Sequence, residues 1–126
     1  MRILLAEDEP DLQFIIGMAL EGADHTVVMA SNGVEALKLL EHNSFDLLLI
    51  DVMMPLMSGL ELCQHLRHHP VWQRIPIILL TASPLLGSLV NDLPPSVCGW
   101  IEKPFNVFDL VDRIKSIIPD HQASST

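Results

Sequence analysis

Basic residues are scarce in this chain of 126 residues. Seven Lys and Arg stand against sixteen Asp and Glu, giving a formal charge of −9. A protein that grips a phosphate backbone or an anionic lipid surface needs basic counter-charge. Autonomous binding to nucleic acid or to membranes is therefore not expected. Cysteine is rare too. Cys63 and Cys98 make no disulfide framework and suit a reducing compartment. Long apolar runs are missing. Stretches such as Ile77–Leu80 have strand length, and none approaches the roughly 18 residues of a membrane span. Met1-Arg2 is followed by only four apolar residues before the acidic Glu7-Asp8-Glu9, which is not the pattern of a secretory leader. The expectation is a cytoplasmic protein.

What is present argues for one folded domain. A hydrophobic fraction of 49% excludes wholesale disorder. A chain of this size can bury a core without disulfides or a structural metal. Ile3-Leu4-Leu5-Ala6 is a continuous apolar run, as in a strand covered on both faces. From Pro10 to Gly22 the period changes. Leu12, Ile15, Ile16, Ala19 and Leu20 recur at helical steps, with Pro suited to the start and Gly to the stop.

The alternation continues along the chain. Thr26–Ala30 reads as a second strand, and Val34 to Leu40 as a second helix. Phe45–Ile50 reads as a third strand and Leu60 to Leu66 as a third helix, ended before Pro70. Ile75–Leu80 and Val97–Ile101 read as strands four and five. Asn106–Ile118 is an amphipathic last helix stopped by Pro119. Pro94-Pro95 leaves room only for a short or distorted fourth helix, roughly Leu85 to Leu93. Five alternations of strand and helix predict an α/β fold, a parallel sheet with helices on both faces. Right-handed crossovers then bring the carboxyl ends of all strands to one edge, where open α/β sheets carry their sites.

That edge collects particular residues. Glu7 and Asp8 follow the first strand, and Asp51 follows the third. Were those strands neighbours, three carboxylates would converge, and clustered anions need a compensating cation. An all-oxygen ligand set suits magnesium, and no His or Cys in these loops favours zinc. Thr81 ends the fourth strand, and Glu102-Lys103-Pro104-Phe105 ends the fifth. Singly, these residues have plainer readings: wet loop carboxylates, a helix-capping Thr, a surface ion pair. Together they supply what a phosphoryl group on Asp51 requires: a metal, an amine and a hydroxyl around its oxygens.

Four separated pieces in register resemble the receiver domain of two-component response regulators. They are Ile3-Leu4-Leu5-Ala6-Glu7-Asp8-Glu9, Asp51-Val52-Met53-Met54-Pro55-Leu56-Met57-Ser58-Gly59, Thr81-Ala82 and Lys103-Pro104-Phe105. The resemblance covers about residues 1–119 as a receiver domain and leaves 120–126 as a polar tail or the start of a linker. It implies an open five-stranded sheet of order 2-1-3-4-5, the flavodoxin-like receiver fold. It implies Asp51 as phosphoacceptor. It also implies Glu7, Asp8, Asp51 and the Met53 backbone carbonyl around Mg2+, with Thr81 and Lys103 as catalytic hydroxyl and ammonium. Thr81 and Trp100 take the switch positions, although Tyr or Phe is usual where Trp100 stands. Ser58 replaces a common acidic residue and is expected to act as a helix cap. Met53 and Ser83 flank the implied path of the hydrolytic water.

The function implied is a phosphorylation-dependent signalling switch. A sensor histidine kinase or a histidine phosphotransfer domain would donate the phosphoryl group. An unknown downstream protein or a covalently linked output domain would receive the signal. Catalysis would extend only to self-phosphorylation and self-dephosphorylation. Two rivals are a stand-alone magnesium-dependent phosphatase with an aspartyl-phosphate intermediate and a phosphorylation-independent interaction module. Weaker features stay open. His65 and His69, with His68 beside them, are metal ligands or helix-end surface residues. Phe14, Ile15 and Met18 belong to a partner-facing surface or to the core. Cys63 and Cys98 read as small buried hydrophobes.

Overall fold

The apolar runs assemble into a single sheet. The computed structural model describes residues 1–82 and 93–118. Its strands are β1 (Arg2–Ala6), β2 (Thr26–Ala30), β3 (Leu47–Asp51), β4 (Ile77–Ala82) and β5 (Val97–Lys103). All pairings are parallel, in the order β2-β1-β3-β4-β5. The helices among the described residues are α1 (Pro10–Gly22), α2 (Gly33–His42), α3 (Gly59–Arg67) and α4 (Val107–Ile117). A 3-10 turn at Trp72–Arg74 precedes β4. None of these helices is long and apolar enough to cross a membrane.

Strand alternation divides the core into two layers. Leu4, Leu48, Ile50 and Leu79 pack with Ala36 and Leu40 of α2 and with Leu62 and Leu66 of α3. Ile3, Leu5, Leu49, Ile78 and Leu80 pack with Ile16 and Leu20 of α1 and with Leu110 and Ile114 of α4. Burial on both sides is why the central strands β1, β3 and β4 carry apolar runs. Truncating a residue such as Leu49 to Ala would cost about 2–5 kcal/mol.

Several boundaries differ from the sequence expectation. β3 begins at Leu47, not Phe45. Phe45 is buried outside the strand, with the Arg2 guanidinium 5.4 Å from its ring centre. β4 begins at Ile77, not Ile75. Pro76 has no N–H for the ladder, and its carbonyl accepts from Leu48 N at 3.0 Å. β4 and β5 continue to Ala82 and Lys103 because Thr81 pairs with Glu102 and Ala82 with Lys103. On α1 the buried residues are Ile16, Gly17 and Leu20, and Ile15 is 45% exposed. Gly17, without a side chain, leaves room for the end of the Met29 side chain against the helix. Phe14 and Met18 join Ile15 on the exposed side. Cys63 is buried, and burial pushes its thiol up to about 12, whereas Cys98 lies exposed on edge strand β5. The expected helix at roughly Leu85 to Leu93 lies, apart from Leu93, outside the described residues, as do Ser83, Pro119 and the tail 120–126.

Candidate functional site

Strand order decides what meets at the carboxyl edge of the sheet. β1 and β3 are neighbours, with Ala6 opposite Ile50, so Glu7 and Asp51 emerge side by side. Both are inside the molecule: Glu7 is 0% and Asp51 3% exposed. Asp8 stays accessible to solvent. Ligand oxygens of Glu7, Asp8 and Asp51 lie within 4.8 Å of one another. Thr81 sits at the end of β4, 1% exposed. Lys103 ends β5 and crosses to the carboxylates, placing Nζ 3.1 Å from Glu7 Oε1 and 2.8 Å from Asp51 Oδ2. The peptide bond from Lys103 to Pro104 is cis.

Hydrogen bonds hold the remaining carboxylate oxygens. Glu7 Oε2 accepts from Glu9 N at 3.0 Å, and Asp51 Oδ1 accepts from Met53 N at 3.1 Å. Burial pushes the Glu7 carboxyl up to about 7. The Glu9 N–H opposes that rise, the Asp51 charge adds to it, and Lys103 opposes it. Lys103 shows the reverse balance. Burial pulls its ammonium down, but hydrogen bonds and attraction to Asp51 and Glu7 outweigh burial and hold it above its ordinary value. One ammonium faces three carboxylates, so the pocket keeps a demand for positive charge. Its donors are all oxygen, the set that suits a small hard cation such as magnesium. Among the described residues, no other group of three His, Cys, Asp or Glu side chains converges this way.

The loop after β3 closes against the pocket through Gly59. A Cβ there would stand 2.1 Å from the Asp51 carbonyl oxygen, so only glycine permits this approach. Ser58 caps α3 as expected: its Oγ accepts from Glu61 N, and Glu61 Oε1 accepts from Ser58 N, each at 3.2 Å. Met53 is 63% exposed beside Asp51. Trp100 lies outside the pocket, 39% exposed on edge strand β5, and its carbonyl accepts from Arg113 Nη2 at 3.0 Å. Gln13 was not singled out by sequence reasoning, yet its amide donates to the Glu7 carbonyl and braces the turn that aims Glu7. A polar residue within the first turn of an N-terminal helix gives no separate signal of that role. Among the described residues, His65, His68 and His69 belong to no group of three or more potential metal ligands. His69 lies beyond α3, and its Nδ1 accepts from Val71 N and Trp72 N, both at 3.1 Å.

Comparisons with known proteins agree with this geometry. A profile of the response regulator receiver domain matches residues 3–115. The transcriptional regulatory protein TcrA of Mycobacterium tuberculosis is 32% identical over 93% of this chain and 46% of its own length. Chemotaxis response regulator CheY4 of Vibrio cholerae superposes with a TM-score of 0.84 at 28% identity, over 93% of this chain and 98% of CheY4. The receiver domain of sensor histidine kinase PA1611 from Pseudomonas aeruginosa PAO1, with a magnesium ion coordinated in its active site cleft, gives 0.80 at 28% identity, over 94% and 97%. The chain spans about half the length of the curated relatives it matches. With the sheet order, the acidic edge and the bridging lysine in agreement with these likenesses, the chain belongs to the response regulator receiver domain family.

Proposed function

We propose that Asp51 accepts a phosphoryl group from a phosphohistidine of a sensor histidine kinase or a histidine phosphotransfer domain. The observation that carries this reading is Lys103 Nζ between Asp51 Oδ2 and Glu7 Oε1, at 2.8 and 3.1 Å, beside the accessible Asp8. A carboxylate oxygen of Asp51 attacks phosphorus in line with the departing imidazole nitrogen. The N–P bond breaks, an O–P bond forms, and the imidazole leaves with a proton. Lys103 follows the growing negative charge and stabilises the equatorial oxygens. Glu7, Asp8, Asp51 and the Met53 carbonyl would hold Mg2+, which would supply charge neutralisation to the site. Water later displaces the phosphoryl group as inorganic phosphate and restores the carboxylate.

The signal follows from charge. A phosphoryl group adds negative charge where Asp51 was already anionic. The Thr81 hydroxyl and Lys103 are drawn to it. Movement at the end of β4 then alters the exposed β5–α4 face that carries Trp100. A downstream protein, or an output domain linked to the chain, reads that face in the cytoplasm. The test is labelling with acetyl phosphate, with and without Mg2+, followed by intact mass. Incorporation of one phosphoryl group that needs Mg2+ and vanishes in Asp51→Ala is expected. Labelling that persists in Asp51→Ala rejects Asp51 as the acceptor.

A further inference from the structure

One stretch of this acidic chain is basic. Between Glu61 and Asp92 there is no acidic residue, yet this stretch holds Arg67, Arg74 and three of the six histidines. α3 starts against Asp51 and carries Arg67 in its last turn, which brings Arg67 to the opposite edge of the sheet. Arg74 stands just before β4, at that same edge. Arg67, His68 and Arg74 line a groove of about 420 Å3 with Pro94, Pro95 and Ser96, and among the described residues no carboxylate lines it. Among the described residues, only Lys103 forms ion pairs, so both arginines are left without one. A helix dipole favours a cation in the last turn, which accounts for Arg67 but not for Arg74 in the 3-10 turn.

A second groove of about 660 Å3 shares His68 as its wall. Leu37 and Leu40 of α2 line one side, Val71 and Trp72 the other, and Glu41 is its one carboxylate among the described residues. Val71 is 65% exposed. The Trp72 side is built rigidly. The His69 ring accepts two backbone N–H groups and stacks on Trp72 at 3.7 Å and 10°. Preformed apolar surface beside unpaired guanidinium groups binds at a low ordering cost.

We propose that these two adjoining grooves dock a short acidic, amphipathic segment of a partner protein at the end of the sheet remote from Asp51. Its apolar side chains enter the Leu37–Trp72 groove, and its carboxylates pair with Arg67 and Arg74, whose planar forks match a carboxylate. A duplex or a lipid surface fits less well. Either presents an extended array of negative charge to a chain of net −9, and only two arginines answer it.

The probe is a fluorescein-labelled peptide of alternating Glu and Leu, about eight residues long, followed by anisotropy and by amide shifts of the 15N-labelled chain. Shifts confined to residues 37–41 and 65–74 and their neighbours are expected. Arg67→Glu with Arg74→Glu should weaken binding at least about tenfold, and Arg67→Gln with Arg74→Gln should weaken it by less. Peptides with Lys for Glu, or Ser for Leu, should bind more weakly. Equal binding by the charge-reversed variant, shifts centred on α1 or β5, or preference for anionic vesicles or duplex DNA would each overturn the proposal. Unchanged amide spectra of the Gln variant outside the groove keep a loss of binding distinct from unfolding.

Discussion

Lys103 reaches two carboxylates at the carboxyl edge of the sheet, whereas Arg67 and Arg74, at the other edge, reach none among the described residues. The first region buries its charges. Glu7 and Asp51 are almost fully enclosed and depend on one ammonium within the same pocket. The second region leaves its cations in solvent around a preformed groove. Buried charge of one sign must be answered from inside or by a bound ion, because desolvation outweighs any partial pairing. Exposed charge carries no such requirement and is free to answer a partner. One end is therefore suited to chemistry, and the other to recognition.

The largest expected break in this contrast is Lys103→Met. Without the ammonium, the initial rate of acetyl phosphate labelling at saturating Mg2+ should fall about a hundredfold, the scale of losing one preorganised charge-stabilising group. An unchanged rate would remove Lys103 from the chemistry. Next comes Gly59→Ala, whose added methyl meets the Asp51 backbone. Urea unfolding should show a loss of about 1–3 kcal/mol, while Arg67→Ala and Arg74→Ala should each stay within about 0.5 kcal/mol.

Acidity sharpens the comparison further. The folded-state pKa of Glu7 is raised from 4.5 to about 7, so the folded chain binds this proton more tightly than the unfolded chain does. Its contribution is fully present below the unfolded value and is lost as pH rises through about 7. In EDTA, the urea midpoint should therefore fall from about pH 5 to about pH 8, and Glu7→Gln should flatten that slope. The raised Lys103 value acts only at the alkaline extreme, where deprotonation removes its pairing. The smallest effect concerns reset. Met53 is exposed and apolar beside Asp51. Met53→Asn should shorten the phosphoryl lifetime about two- to tenfold by helping to place the attacking water. A lifetime that is unchanged or longer would dismiss that role.

Much of the architecture was legible before any coordinates. α1 and β2 have the limits their residues predict, because period and end chemistry are local properties. The strand ends were less legible. β4 and β5 gain Ala82 and Lys103 only because they pair with each other, and pairing is invisible along one strand. Helical spacing left Ile15 open between the core and a partner-facing surface, and it is exposed. Which face of α1 is buried is settled by packing between separate elements, as where Gly17 lies against the Met29 side chain. Cys98 is exposed because β5 is an edge strand, which its own residues do not announce.

By itself the sequence determined which elements form, since backbone preference and apolar period act over a few neighbours. It placed Glu7, Asp8, Asp51, Thr81 and Lys103 at or next to strand ends and so made an acidic edge foreseeable. Only the tertiary structure decided that Lys103 spans Glu7 and Asp51, that Gly59 must lie against the Asp51 backbone, and that Arg67 and Arg74 share a groove. These relations join residues far apart in the chain. They depend on the order in which strands are laid side by side, which no short stretch of sequence encodes.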